Sequence, residues 1–151
     1  MNLKDILAIS SYSGLFRFVS QGRSGVIVEG LIDKKRMNAS SSARVSALDD
    51  IAIYTEDKEI PLKEILRRIF KKENGGQTID PKSPNDKLKD YFEAIVPEYD
   101  HEKVYVSDMK KVFIWYNILL GQNLIDMEED PKEEEKTQQE PDEVKDDSQV
   151  N

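Results

Sequence analysis

The rhythm of apolar and polar positions changes near residue 60. Between residues 15 and 54 the apolar side chains fall in short runs, 15–20, 26–32 and 51–54, rich in β-branched and aromatic types. Such runs predict strands. Gln21-Gly22-Arg23-Ser24-Gly25 separates the first two, and its glycines suit a tight connection. A third, shorter strand is expected at 36–39, after the turn-like Asp33-Lys34-Lys35. Residues 40–43 are small and polar and read as a loop. Ser46-Ala47-Leu48-Asp49 has the form of a capping box, which predicts one helical turn before the strand at 51–54. Short strands joined by tight turns predict a small SH3-like antiparallel β-barrel.

Beyond residue 60 the period lengthens to that of a helix. Pro61 suits a first helical position, and Leu62, Ile65, Leu66, Ile69 and Phe70 then mark one buried face. Asn74-Gly75-Gly76 ends that helix. A second is expected from the N-cap Ser83 to Pro97, with Pro84 and Asp86 in its first turn and Leu88, Tyr91, Phe92 and Ile95 on its face. A third begins at Ser107 and runs to Gly121. Its stripe is Met109, Val112, Phe113, Tyr116, Leu119 and Leu120, while Ile114, Trp115 and Ile118 carry apolar surface around the cylinder. A helix apolar on most sides is central to its fold. Either it is covered internally or a homodimer covers it, and Ile114, Trp115 and Ile118 are then the candidate interface. Trp115 and Tyr105 lie off the main stripes and are the expected exposed aromatics. The expected class is α+β: a small β-barrel domain over 1–57, a three-helix domain over 58–126, and a tail over 127–151.

Charge sharpens the boundary of that tail. The net charge of the 151 residues is −8, and residues 127–151 hold 11 acidic and 3 basic side chains, so they carry all of it. The remaining 126 residues balance at 19 of each sign. A segment this acidic, without aromatic residues, is expected to be disordered. The absence of cysteine excludes disulfides, thiolate metal sites and cysteine nucleophiles, and the single histidine excludes His–His metal pairs. The longest apolar stretch, 112–120, is about half of the ~20 residues a membrane span requires. The opening MNLKDILAIS reads as a short amphipathic turn rather than a signal peptide. A soluble cytoplasmic protein without a membrane partner is expected.

Little in the chain has the form of catalytic machinery. Asp49-Asp50 is the nearest approach to an acid–base pair, but Asp49 already has a capping role and adjacent side chains diverge. His101, in Tyr99-Asp100-His101-Glu102, reads as solvent-facing. Neither a P-loop nor a Ser-centred nucleophile elbow occurs, and no cofactor is expected. Arg17, Arg23, Lys34, Lys35, Arg36 and Arg44 form a candidate binding surface in the β region, with Tyr12, Phe16, Phe18 and Tyr54 nearby in sequence. Small barrels bind RNA by stacking bases on such rings in a basic groove. The preferred expectation is a non-catalytic intracellular binding or adaptor module with a protein partner. RNA binding through the basic face is the alternative, and an enzyme using Asp49 and Asp50 ranks last.

Several strings carry a resemblance. Residues 1–10 with Gly14-Leu15-Phe16 and Val19-Ser20-Gln21, residues 45–51 with Ile53-Tyr54-Thr55-Glu56-Asp57, and Tyr105-Val106-Ser107-Asp108 with Trp115-Tyr116-Asn117 resemble a DUF5606-like family of small Bacteroidota proteins. The family is catalogued as a domain of unknown function, its β and helical parts sometimes separately. The resemblance spans about residues 1–126 and implies an intracellular setting, without an activity or a catalytic residue. Ser11-Tyr12-Ser13 departs from the Gly-Lys-Pro-like loop expected before Gly14, so this loop lacks a lysine with which to meet an anion.

Overall fold

A computed structural model describes residues 1–127, so the expectation of a disordered tail falls almost wholly outside the described residues. The chain runs through β1 (Ile6–Ile9), β2 (Leu15–Gln21), β3 (Gly25–Gly30), β4 (Arg36–Ser40) and β5 (Val45–Ala47). A 3₁₀ turn, Leu48–Asp50, leads to β6 (Ala52–Tyr54) and β7 (Glu59–Pro61). The helices are α1 (Leu62–Lys72), α2 (Asn85–Ile95) and α3 (Val106–Gly121).

Strands β1 to β5 form one antiparallel sheet in the order β4-β3-β2-β1-β5. Its pleat sorts side chains between two cores. Ile6, Leu15 and Ala8 face the helices, whereas Leu7, Ile9, Phe16, Val28 and Ala39 gather on the other side as a smaller core. Because β1 is buried on both sides it shows no alternation, which is why its segment reads as an amphipathic turn. The larger core joins Leu3, Leu31 and Leu48 to Ile65, Ile69, Phe92, Phe113 and Tyr116. The 1–57 and 58–126 parts of the chain therefore share one packed interior.

The sheet curls but does not close, so the expected SH3-like barrel is not formed. Only residues 41–44 join β4 to β5, the two edges of the sheet. In a flat sheet those edges would stand about 19 Å apart, four spacings of ~4.8 Å, beyond the ~17 Å that five Cα steps span. The ends being joined also lie at opposite levels, Ser40 beside Gly25 and Val45 beside Ile9. Curling is thus imposed by the short link. Closure fails because the strand expected to complete the barrel is engaged elsewhere: β6 pairs with β7, placing Ala52 opposite Pro61, Ile53 opposite Ile60 and Tyr54 opposite Glu59. β5, with three residues, pairs only with β1.

The helices follow the expected spacing closely. Leu62, Ile65, Leu66 and Ile69 are the buried face of α1, and Leu88, Phe92 and Ile95 that of α2. Pro61 closes β7 instead of opening α1. α3 starts one residue before Ser107, because the Asp108 carboxylate folds back to accept the Tyr105 backbone N–H at 2.9 Å.

Candidate functional site

The curl leaves a groove between the first sheet and α3. Its central cavity, about 530 Å³, lies under the β1–β2 loop, where Ser10, Ser11, Tyr12 and Ser13 meet Arg44 and Ser46. Lys111, Ile114 and Trp115 of α3 form the opposite wall, with Ala8, Ile9 and Ile51 between. A second cavity of about 480 Å³ shares Ile9 to Tyr12 and Arg44 with the first and extends along β4 from Met37 to Ser40. A third, about 340 Å³, shares Ile51, Lys111 and Trp115 and reaches Tyr54, Lys103 and Asp108.

Electrostatically the groove is one-sided. Arg44 lines both of the first two cavities and Lys111 the first, and neither is lined by a carboxylate. Neither cation forms an ion pair among the described residues. In the third cavity the Asp108 carboxylate is spent on the cap of α3. Tyr12 is 52% exposed and stands edge-on to Phe16, with ring centroids 5.6 Å apart. Ser11, preceding it, has φ +86°, so the loop turns sharply in a conformation that non-glycine residues seldom adopt. Such a surface can hold an anionic group at Arg44 and Lys111 while apolar side chains rest on Ile51, Ile114 and Trp115.

Residues from two separate sequence expectations meet here. Arg44 comes from the basic set, and Ile114 and Trp115 from the candidate interface. Trp115 is only 9% exposed and belongs to the main core, while Ile114 and Ile118 are half-buried against it. Tyr105 is 64% exposed. The other basic residues lie elsewhere. Arg17 and Arg36 flank Glu29 in one cross-strand row, and Arg36 bonds the Glu29 carboxylate at 3.3 Å. Arg23 occupies the β2–β3 turn, whereas Lys34 and Lys35 lie in the β3–β4 turn at the opposite end of β3. The Lys34 ammonium donates to the Gln122 side-chain oxygen at 3.4 Å. Lys111 and the serine-rich rim were not singled out from sequence. Their available signals were the density of serine at 10–13 and 40–42, and the position of Lys111 one helical turn before Trp115.

The remaining candidates are accounted for by their surroundings. Asp49 pairs with Lys63 of α1 at 3.7 Å, and Asp50 is exposed. His101 stacks on Tyr99 with centroids 4.3 Å apart. Among the described residues no cluster of three or more His, Asp or Glu side chains is placed to hold a metal ion. No described helix is long and apolar enough to cross a membrane.

Comparison with known proteins follows the same division of the chain. Residues 3–48 match the model of a domain of unknown function, DUF5606, and residues 51–119 that of a second, DUF6852. A Bacteroides vulgatus protein solved by solution NMR as a structural-genomics target is 40% identical, with a TM-score of 0.71 over 83% of this chain and 91% of that one. The chain belongs to the DUF5606 family. No curated protein matches it. In this DUF5606-family chain the central cavity lies where the two matched segments meet. The first supplies Ser10 to Ser13, Arg44 and Ser46, and the second Ile51, Lys111, Ile114 and Trp115.

Proposed function

We propose that the chain is a non-catalytic intracellular binding module that seats a protein partner in this groove. The observation that carries the reading is that Arg44 and Lys111, which form no ion pair among the described residues, stand together above an apolar floor in a central cavity lined by no carboxylate. Clefts between adjoining structural units are favoured positions for binding sites. An uncompensated cation pair beside exposed apolar atoms offers both charge and area to a partner. Nucleic acid fits less well, because of the six basic residues of the β region only Arg44 lines the groove, and Arg36 is paired with Glu29.

The test compares full-length protein with the double variant Arg44→Glu/Lys111→Glu as bait in native lysate. Wild type is expected to retain a reproducible protein that the variant loses, with the two baits equally stable in urea. An unchanged captured set would remove the groove from consideration. Nucleic acid that copurifies, raises the 260/280 nm absorbance ratio and leaves in a high-salt wash supports RNA binding instead. Turnover abolished by Asp49→Ala or Asp50→Ala identifies an enzyme.

A further inference from the structure

Among the described residues no strand pairs with the outer edge of β4, and hydrogen-bond register shows which backbone groups that edge offers. The Gly30 N–H donates to the Lys35 carbonyl at 2.9 Å and the Ser41 N–H to the Ser24 carbonyl at 2.7 Å, so at both ends of the β3–β4 ladder residues 35 and 41 of the outer chain turn toward β3. Such positions alternate along an antiparallel ladder. In the register that sets Met37 opposite Val28 and Ala39 opposite Val26, Met37 and Ala39 turn their backbone groups to β3. Arg36, Asn38 and Ser40 turn theirs to the free edge. The Ser40 carbonyl accepts the Ala43 N–H at 3.0 Å, which leaves both backbone groups of Asn38 for a newcomer. Beside this edge lies the 480 Å³ cavity, with Ile9, Ala39 and Ala43 beneath it, Arg44 at its rim and no carboxylate in its lining.

We propose that this seam is a β-strand-addition site for an extended acidic segment of the partner protein, one with apolar side chains at alternate positions. The inference rests on the groove reading and supplies its mode of engagement. An entering strand exchanges hydrogen bonds with Arg36 and Asn38, so the main chain provides affinity. Every second side chain faces the cavity, whose half-buried apolar lining residues are Met37 and Ala43. The segment is acidic because Arg44, at the rim of a cavity lined by no carboxylate, forms no ion pair among the described residues.

The test is amide hydrogen exchange by NMR on the full chain, with and without a synthetic peptide alternating glutamate and valine. The Arg36 and Asn38 amides are expected to slow by about tenfold or more on binding, as expected for newly formed backbone hydrogen bonds. Asn38→Pro removes an N–H that the β3 ladder does not use, and should weaken the peptide by about three- to tenfold while the sheet persists. Should that variant fail to fold, exchange in the wild type still decides. Resonance shifts at Arg44 and Lys111 without protection of Arg36 and Asn38 overturn strand addition and leave the groove reading standing. Absence of any response, or equal binding of a lysine–valine peptide, also overturns the inference, and the Arg44→Glu/Lys111→Glu comparison then decides the groove separately.

Discussion

Trp115 has two tasks with separate readouts: it fills the main core and floors the groove. At 9% exposure its ring is almost wholly removed from water. Truncation to alanine is therefore a core truncation, expected to cost about 3–5 kcal/mol of stability. A urea titration of Trp115→Ala should show a midpoint far below that of wild type, whatever the protein concentration. Were Trp115 an interface residue, the variant would keep its midpoint and sediment as a smaller species. The reason for preferring the first outcome is local: Ile114 and Ile118, the neighbours that would extend an exposed patch, are themselves packed against the core. Helical periodicity places Trp115 off the main stripe of α3 and so predicts an exposed ring, whereas the ring is buried in the main core. Periodicity does not reveal that the sheet and β6 also approach α3 and cover its flank.

Between elements, side-chain hydrogen bonds tie the α1–α2 connection to α2 and α3. The Tyr91 hydroxyl donates to the Glu73 carboxylate, and the Tyr116 hydroxyl donates to the Gly76 carbonyl at 2.8 Å. The Asn117 side-chain oxygen accepts the Thr78 N–H at 3.1 Å. Burial, with the Glu73 charge nearby, raises the pKa of Tyr91 above its ordinary value and pushes Tyr116 up to about 12. A tyrosine held neutral in the fold but free to ionise near pH 10 once unfolded stabilises the native state fully below that pH. The contribution is lost as pH rises from about 10 through the folded-state value. Urea midpoints should accordingly fall between pH 9.5 and about 12, and Tyr116→Phe should fall less steeply because one of the two phenols is gone. A parallel fall in wild type and variant would assign the loss to other groups. Glycine and proline signals make this connection legible as a helix stop and a helix start, but not its clasp on α3. The three helices and strands β2, β3 and β6 are legible for similar reasons, since each carries its period or composition within its own residues. β1, β5 and β7 are three or four residues long and draw their conformation from partners. The sequence points to barrel closure for the same reason: 51–54 is a good strand in isolation, and nothing within it specifies that Glu59–Pro61 rather than β4 will take its hydrogen bonds. The groove depends on that choice, so its residues appear in the sequence as unrelated candidates.

At the scale of the whole chain, the charge outside the described residues bears on the groove. Residues 128–151 carry a net −8, whereas residues 1–127 are balanced, and the two are covalently joined. An attached anionic segment acts at a high effective concentration on any cation it can reach. It is therefore expected to compete with an acidic partner for Arg44 and Lys111, which form no ion pair among the described residues. Truncation after Met127 is expected to tighten binding of the glutamate–valine peptide severalfold at low salt. Removing a net −8 helps any anion approach, so a gain alone does not show competition at the groove. Two further measurements separate the causes. Competition for these cations requires that the gain vanish in Arg44→Glu/Lys111→Glu, whereas a general field effect survives that change in reduced form. Both fade toward 1 M salt, where the Debye length is about 3 Å, while any affinity due to strand pairing and apolar contact remains. Equal peptide affinity with and without residues 128–151 at low salt would show that the acidic segment leaves the groove unopposed.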